Sequence, residues 1–460
     1  MAVNTPKALR NMVMYQIFVR NFSEEGTFAK VSEKLDGIKE LGTDIIWLMP
    51  IHPIGSKARK GTLGSPYAIS DYRAVNPEFG TIDDFKALVE NIHARGMKCI
   101  IDVVYNHTSP DSVLAGEHPE WFYHKADGSF GNRVGDWTDI IDLDYSNKEL
   151  WTYQIDTLKM WAEIVDGFRC DVAPLIPLEF WLKAREEVEA VHPGCIWLSE
   201  SVEPGFITYM RGRGMNALSD SEIYQAFDLC YDYDVYGRFR DCLSGKGTLA
   251  SYAEAINRQE YIYPDNYVKL RFLENHDQAR AAFMIPDKRA LRSWTAFTYF
   301  QKGLALVYAG QEYAADHAPS LFDKDDVFGE DSDGKRRLCP KGQRITLTPT
   351  ADGITATAYE DDKTDPQFIP LMQKLAEIKR DPLFTDSVYT VKAQDEAFLT
   401  ATHEKDGRKA LGVFSVKGRS GYVAVDFPDG FYRDLISGES VEVFRGGVMC
   451  SGAPIILITG

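Results

Sequence analysis

The chain has 460 residues, 44% hydrophobic and 12% aromatic, enough for two or three domains with sizeable cores. Its 51 Lys and Arg stand against 68 Asp and Glu, a net charge of −17. No stretch gathers the basic face that phosphate contacts need, which argues against a nucleic-acid or anionic-membrane partner. The longest apolar runs, such as 45–51, fall far short of the roughly 20 residues that span a bilayer.

The first 22 residues mix polar and apolar side chains, with no unbroken apolar core ahead of a small-residue cleavage site. Seven cysteines, four of them (Cys99, Cys170, Cys195 and Cys230) in apolar runs that read as buried strands, fit reduced thiols. Both features lead to the expectation of a cytoplasmic protein.

In chain order, β-rich apolar runs occupy 13–19, 44–49, 98–104, 167–172, 196–199, 226–231, 268–273 and 304–308. Several are apolar almost throughout (CIIDVV, DIIWLM), as parallel strands covered on both faces are. Helix-patterned stretches such as TIDDFKALVENIHARG separate them, with Thr81, Asp83 and Asp84 reading as a helix start and Gly96 as its stop. Eight strand–helix units imply a closed (β/α)8 barrel. A doubly wound open sheet is the competing arrangement.

Two intervals are too long for simple connections. The first, 107–150, carries WFYHKADGSF and a GDW turn and reads as a small irregular subdomain after the third strand. The second, 311–363, is acidic and turn-rich and precedes a helix, PQFIPLMQKLAEIKRD; its charge run at 323–333 lacks the spacing of an EF-hand loop and reads as solvated surface. Beyond Pro382 the runs ALGVFSV, YVAVDF, SVEVF and IILI alternate with Gly-rich turns, which predicts an antiparallel β-sandwich. The expected division is a catalytic barrel over 1–382, including the subdomain at 107–150, and a β-domain over 383–460.

In such a barrel chemistry sits at the C-terminal ends of the strands. The third ends in Asp102-Val-Val-Tyr-Asn106-His107, the fourth in Gly167-Phe-Arg169-Cys-Asp171, the fifth in Trp197-Leu-Ser-Glu200 and the seventh in Phe272-Leu-Glu-Asn275-His276-Asp277. A single Asp after a strand is commonly a helix cap or turn former. Capping gives no reason for Arg169 two residues before Asp171, a spacing that puts both on one face of a strand.

Carboxylates meeting at one mouth suggest glycosidic-bond chemistry, in which one attacks the anomeric carbon and another, protonated, serves the leaving oxygen. Arg169 should depress the pKa of Asp171, whereas Glu200, emerging from the apolar run CIWLS, should be raised. The retaining geometry requires ~5 Å between their oxygens.

The blocks DVVYNH, GFRCDVA, the Glu after IWLS and FLENHD, in this order, resemble the four signature regions of glycoside hydrolase family 13, the α-amylase family. GTDIIWLMPIHPI, SPYAISDYRAVNPEFGT and YRDLISGESV extend the likeness across nearly the whole chain. The resemblance implies Asp171 as nucleophile, Glu200 as general acid/base and Asp277 as the carboxylate gripping sugar hydroxyls. It also implies Arg169 as the group orienting the nucleophile, His107 and His276 as hydrogen-bond donors to the same glucose, Tyr67 as its stacking ring, and Asp71 and Asp102 as polar supports. The implied reaction is retaining hydrolysis of α-1,4-linked maltooligosaccharides or starch-type glucans.

No cofactor is required, and calcium is the one metal the resemblance leaves open. Many relatives bind calcium through an asparagine matching Asn106 and a histidine shortly after the nucleophile, but here VAPLIP follows Asp171. A D-x-N-x-D loop after the first strand is also missing, since that position reads NFSEEG. The segment DWTDIIDLDY matches neither the oligo-1,6-glucosidase nor the neopullulanase form of the family's variable block. Trp121, Phe122, Tyr123 and Trp137 are candidates for stacking on sugars. The alternatives are a glucanotransferase or trehalose-synthase type enzyme, and a non-catalytic chaperone-like relative that would lack the carboxylates and carry a membrane anchor.

Overall fold

The computed structural model describes residues 4–328 and 368–459, together with the backbone of 344–350 and 353–359. Eight parallel strands close a barrel: β1 (Val13–Ile17), β2 (Ile45–Leu48), β3 (Lys98–Val103), β4 (Gly167–Cys170), β5 (Ile196–Ser199), β6 (Leu229–Tyr231), β7 (Val268–Arg271) and β8 (Leu304–Tyr308). β1 pairs with both β2 and β8, which excludes the open-sheet alternative.

All eight expected strands are present, most with trimmed ends. The sixth starts three residues late, because the Asp228 carboxylate is held by Arg185 and accepts the N–H of Trp197 before the ladder begins. At Gly167, a Cβ would lie 2.3 Å from the carbonyl oxygen of Ile196, so only glycine lets β4 approach β5 there.

The helix Ile82–Ala94 opens on a reciprocal capping box between Thr81 and Asp84, and Gly96 follows it at φ +67°, as the sequence pattern predicts. Helices Lys148–Ala162, Leu178–Glu189 and Lys288–Phe300 bury Trp161, Trp181 and Trp294; Trp181 packs on Trp197 of β5, Trp161 on Phe85, and Trp294 on Phe239 and Tyr252 of neighbouring helices. Loss of one such ring typically costs about 3–5 kcal/mol.

The subdomain after β3 is mostly irregular. Its one ladder joins His107–Thr108 to Ile141–Asp142, and Trp121 and Phe122 pack inside it, 4% and 2% exposed. Those two rings are core side chains and cannot meet a sugar.

A backbone hairpin of β9 (Arg344–Thr350) and β10 (Gly353–Tyr359) lies where the sequence reads as turn-rich connection. Its arms, RITLTPT and GITATAY, alternate apolar and polar residues, a pattern suited to two paired strands. Part of the acidic run at 323–333 lies outside the described residues.

The β-domain has two four-stranded antiparallel sheets. One contains β11 (Val388–Ala393), β12 (Phe398–Lys405), β13 (Arg408–Ser415) and β18 (Ile455–Ile458). The other is ordered β14 (Gly421–Ala424), β17 (Gly447–Cys450), β16 (Ser440–Phe444), β15 (Gly430–Arg433). The first sheet docks on the barrel: Phe414 packs on Phe297 and Phe300, and Asn257 exchanges two 2.8 Å hydrogen bonds with the backbone of Val391.

Candidate active site

Arg169 organises the mouth of the barrel. Asp102 and Arg169 are register partners on β3 and β4, and Asp171 follows two residues later. The guanidinium is fully buried, ringed by Trp47, Tyr67 and Tyr231 at 5.3–5.5 Å. Its Nη1 donates to Asp102 Oδ1 at 2.8 Å and to Asp171 Oδ1 at 2.9 Å, and Nη2 lies 2.9 Å from Glu200 Oε2. Its Nε faces the Tyr231 hydroxyl at 3.2 Å. Carboxylates from the ends of β3, β4 and β5 thus share one cation, which offsets only part of their desolvation.

Glu200 has a second anchor. Its Oε2 accepts the N–H of Val172 at 2.8 Å. Val172 sits at φ +36°, ψ 40°, a left-handed conformation costly for a β-branched residue. That turn, directly after Asp171, aims the amide at Glu200.

Burial outweighs Arg169 in setting the protonation of these acids. Glu200 is pushed up to about 8 and Asp171 to about 7, each chiefly by desolvation, with Arg169 opposing. Asp102 is likewise raised to about 7. The expected depression of Asp171 is therefore overturned: the single guanidinium is divided among three acids inside a dry barrel. The expected order survives, with Glu200 holding its proton to higher pH than Asp171.

His276 links the opposite wall. Gln16 Nε2 lies 2.7 Å from its Nδ1, and its Nε2 lies 2.6 Å from the Tyr67 hydroxyl and 3.1 Å from Asp277 Oδ2. With the Gln16 amide donating, Nε2 carries the proton and the Tyr67 hydroxyl is free to donate to Asp102 Oδ2 at 3.2 Å. The Tyr67 ring stacks on His276, centroids 5.4 Å apart at 17°. His107 Nε2 stands 4.0 Å from Asp171 Oδ2. Burial lowers both histidines to about 4, which keeps the imidazoles neutral at ordinary pH.

Tyr67, His107, Asp171, Glu200, His276 and Asp277 line one cavity of about 500 Å³, with Trp137, Tyr233, Phe206 and Lys60 completing it. Asp277 is at the rim, its side chain 38% exposed. Arg169 and Asp102 lie beneath the floor. Asp71 is not part of this group: its carboxylate accepts the N–H of Arg73 at 2.8 Å in a local turn.

Sequence reasoning missed several members. Tyr231 and Tyr233 were within reach of the strand-end rule, since the sixth strand ends at Tyr231. Lys60, which pairs with Asp139 of the subdomain at 2.8 Å, and Phe206 come from loop and helix positions without any local signal.

The residues near Asn106 do not fit a calcium ion. Asn106 Nδ2 lies 3.2 Å from His107 Nδ1. The neighbouring Asp142 has one buried oxygen without a partner, but its other oxygen accepts the N–H of Arg133 at 2.7 Å and lies 3.5 Å from that guanidinium. Among the described residues no cluster of three or more His, Cys, Asp or Glu is placed to hold a metal.

The catalytic-domain model of α-amylases matches residues 16–118 and 112–383, and the model of the bacterial α-amylase C-terminal domain matches 390–457. An α-amylase from Lactobacillus plantarum is 46% identical, with a TM-score of 0.88 over 99% of this chain and 100% of that one. The noncanonic maltogenic α-amylase AmyB from Thermotoga neapolitana is 32% identical, with a TM-score of 0.81 over 98% and 99%. An α-1,4-glucan:maltose-1-phosphate maltosyltransferase from Myxococcus xanthus is 32% identical over 53% of this chain. The chain spans 38% of that relative and less than half the length of two further curated ones. On the strength of the matched domains and the barrel that carries them, this chain belongs to the α-amylase family, glycoside hydrolase family 13.

Proposed function

We propose that the protein hydrolyses α-1,4-glucosidic bonds in maltooligosaccharides and starch-type glucans by a retaining double displacement. The observation that carries this reading is the convergence of Asp171 and Glu200 on the single buried guanidinium of Arg169, with Glu200 holding its proton to higher pH.

In the first step Asp171 attacks the anomeric carbon while Glu200 gives its proton to the bridging oxygen, and the leaving glucan departs with a free hydroxyl. The product is a glycosyl ester on Asp171. In the second step Glu200, now ionised, takes a proton from water as its oxygen bonds to the anomeric carbon and the ester bond breaks. Arg169 compensates the charge moving between the two carboxylates. His107, His276 and Asp277 grip the hydroxyls of the reacting glucose, and the Tyr67 ring supports its apolar face.

The same ester can be intercepted by a sugar hydroxyl. The likeness to a maltosyltransferase, 32% identical, favours a measurable share of such transfer. A reducing compartment, the cytoplasm, suits the six described cysteines, all of them free thiols. Among the described residues no helix is long and apolar enough to cross a membrane.

The test is the anomeric form of the first product, read by proton NMR during cleavage of maltohexaose, together with the product series from amylose, pullulan and maltotriose. Release of the α-anomer and a ladder of short maltooligosaccharides is expected. Release of the β-anomer would end the double-displacement reading.

A further inference from the structure

The connection between β2 and the helix Ile82–Ala94 carries Lys60, a residue that none of the steps above uses. Its Nζ lies 2.8 Å from Asp139 Oδ1, in the subdomain after β3, and 3.5 Å from the Asp136 carbonyl oxygen. The Asp139 side chain is only 7% exposed and that of Lys60 35%, so the pair is largely withdrawn from water. Both residues line the cavity that holds Asp171 and Glu200. On the wall of the active site, then, an ion pair joins two separate segments of the chain.

The rest of that wall is firmly tied. The Thr62 N–H and hydroxyl donate to Asp323 Oδ1 at 2.8 and 2.7 Å, and the Leu63 N–H donates to the Phe322 carbonyl at 2.9 Å. The buried Arg20 donates from Nη1 to the Gly64 carbonyl at 2.9 Å. Before Lys60, the N–H groups of Ser56 and Lys57 both donate to Asp111 Oδ2, at 2.9 and 3.0 Å. Lys60 is thus presented by a loop fastened at both ends, and its reach to Asp139 completes a rim from the segment after β8 to the subdomain.

Strand order gives this rim a direction. β5, which ends in Glu200, stands opposite β1 in the closed barrel, and the lining residues Lys60, Leu321 and Phe322 come from the segments that follow β2 and β8, the two neighbours of β1. An acid that protonates the bridging oxygen stands on the leaving-group side of the broken bond. The facing wall therefore borders the other part of the glucan, beyond the reacting glucose toward the non-reducing end. The Glu200 side is more open, with the side chains of Glu203 and Asp277 48% and 38% exposed. Ile140, next to Asp139, lines this cavity and also a second one of about 770 Å³ within the subdomain, so the pair stands where the two adjoin.

We infer that the Lys60–Asp139 pair closes the cleft at its non-reducing end, so that the enzyme takes a glucan by that chain end and releases short products from it. Lys60 and Asp139 are specificity-determining residues, and the second cavity is where the glucan chain would continue if they parted. This rests on the assignment of Asp171 and Glu200 made above.

The physical ground is discrimination by obstruction. A terminal glucose can sit against the closed rim. A glucose within a chain carries further units on the same side, and these need the space that the pair occupies. Admitting them means pulling Lys60 away and leaving the buried Asp139 carboxylate without its cation, which is costly where water cannot replace the partner.

The experiment compares maltoheptaose with the same chain capped at its non-reducing glucose by a 4,6-O-ethylidene acetal, and follows all products by chromatography. The wild type should cleave the capped chain with a kcat/KM about 100-fold below that of the free one, since the rim cannot seat the enlarged end. In Lys60→Ala and in Asp139→Ala that gap should shrink about tenfold, and products of mixed length should replace the short series. Lys60→Arg, which keeps the charge, should keep the wild-type gap. A wild type that cleaves both chains equally well overturns the closed end, while the active-site assignment stands. A gap that is unchanged in both alanine variants, or an equal loss on the two substrates, overturns the role of the pair. A wild-type enzyme inactive on both substrates overturns the active-site assignment itself, and the closed end with it.

Discussion

Glu200 Oε2 lies 2.8 Å from the backbone N–H of Val172, the residue that follows Asp171. The two carboxylates are therefore tied through one peptide turn as well as through Arg169. A change at either is felt by the other, and the predictions below use that coupling.

Glu200→Gln preserves shape and removes the proton donor. Turnover of maltohexaose should fall by about 10³-fold or more, the range attached to a lost general acid. The bell-shaped pH dependence of kcat/KM in the wild type, with its basic limb near the Glu200 value of about 8, should lose that limb in the residual activity. An intact basic limb in the variant would show that another group is the acid.

The same acids make stability depend on pH with a definite sign. Asp171 and Glu200 ordinarily ionise near 3.8 and 4.5, but in the folded state they hold protons to about 7 and about 8. The folded state therefore binds more protons than the unfolded chain, and their contribution is lost as pH rises through these folded values. Between about pH 7.5 and 8.5, above the titration of unfolded histidine at ~6.5, these acids pull the midpoint of urea unfolding down. The double variant Asp171→Asn with Glu200→Gln should show a shallower decline. Equal slopes in both proteins would contradict the burial argument.

Arg169→Met leaves Asp102, Asp171 and Glu200 without their shared cation. Breaking a buried ion pair typically costs about 3–5 kcal/mol. Because the three acids can become neutral at low pH, the loss should be smaller at pH 5 than at pH 8. Arg169→Lys, a compact charge without the planar fork, should recover part of the stability but little of the activity. Urea unfolding at the two pH values checks the first claim, and turnover checks the second.

Chelation should leave the enzyme unchanged. Dialysis against EDTA is expected to shift neither Tm nor the rate on maltohexaose, because Arg133 compensates the buried Asp142 carboxylate. Arg133→Ala should lower Tm by several degrees. A large EDTA-dependent drop in wild-type Tm would show that a bound metal contributes to folding.

Trp121 and Trp137 belong to one subdomain but should respond differently. Trp121, 4% exposed and stacked on His118 at 3.8 Å, is core, so Trp121→Ala should destabilise by about 3–5 kcal/mol. Trp137 lines the cavity 5.5 Å from His107, so Trp137→Ala should raise KM with little change in Tm.

Much of the site is legible in the chain because barrel chemistry has an address: Asp102, Asp171 and Glu200 are found by reading the ends of apolar runs, and Arg169 by its two-residue spacing. Asp71 shows the limit of that reading, since a motif position near Tyr67 turns out to serve a local turn with Arg73. Phe206 and Lys60 had no local signal, because a surface aromatic or lysine looks the same wherever its loop leads.

The sequence by itself determined the eight strands, their parallel pairing and the carboxylates at their ends, since hydrophobic periodicity and strand termini are local properties. Only the tertiary structure decided that three acids share one guanidinium, that burial raises Asp171 where the neighbouring arginine alone would lower it, and that Arg133 meets Asp142. Desolvation and charge sharing depend on what surrounds a group in space, and residues far apart in the chain supply those surroundings.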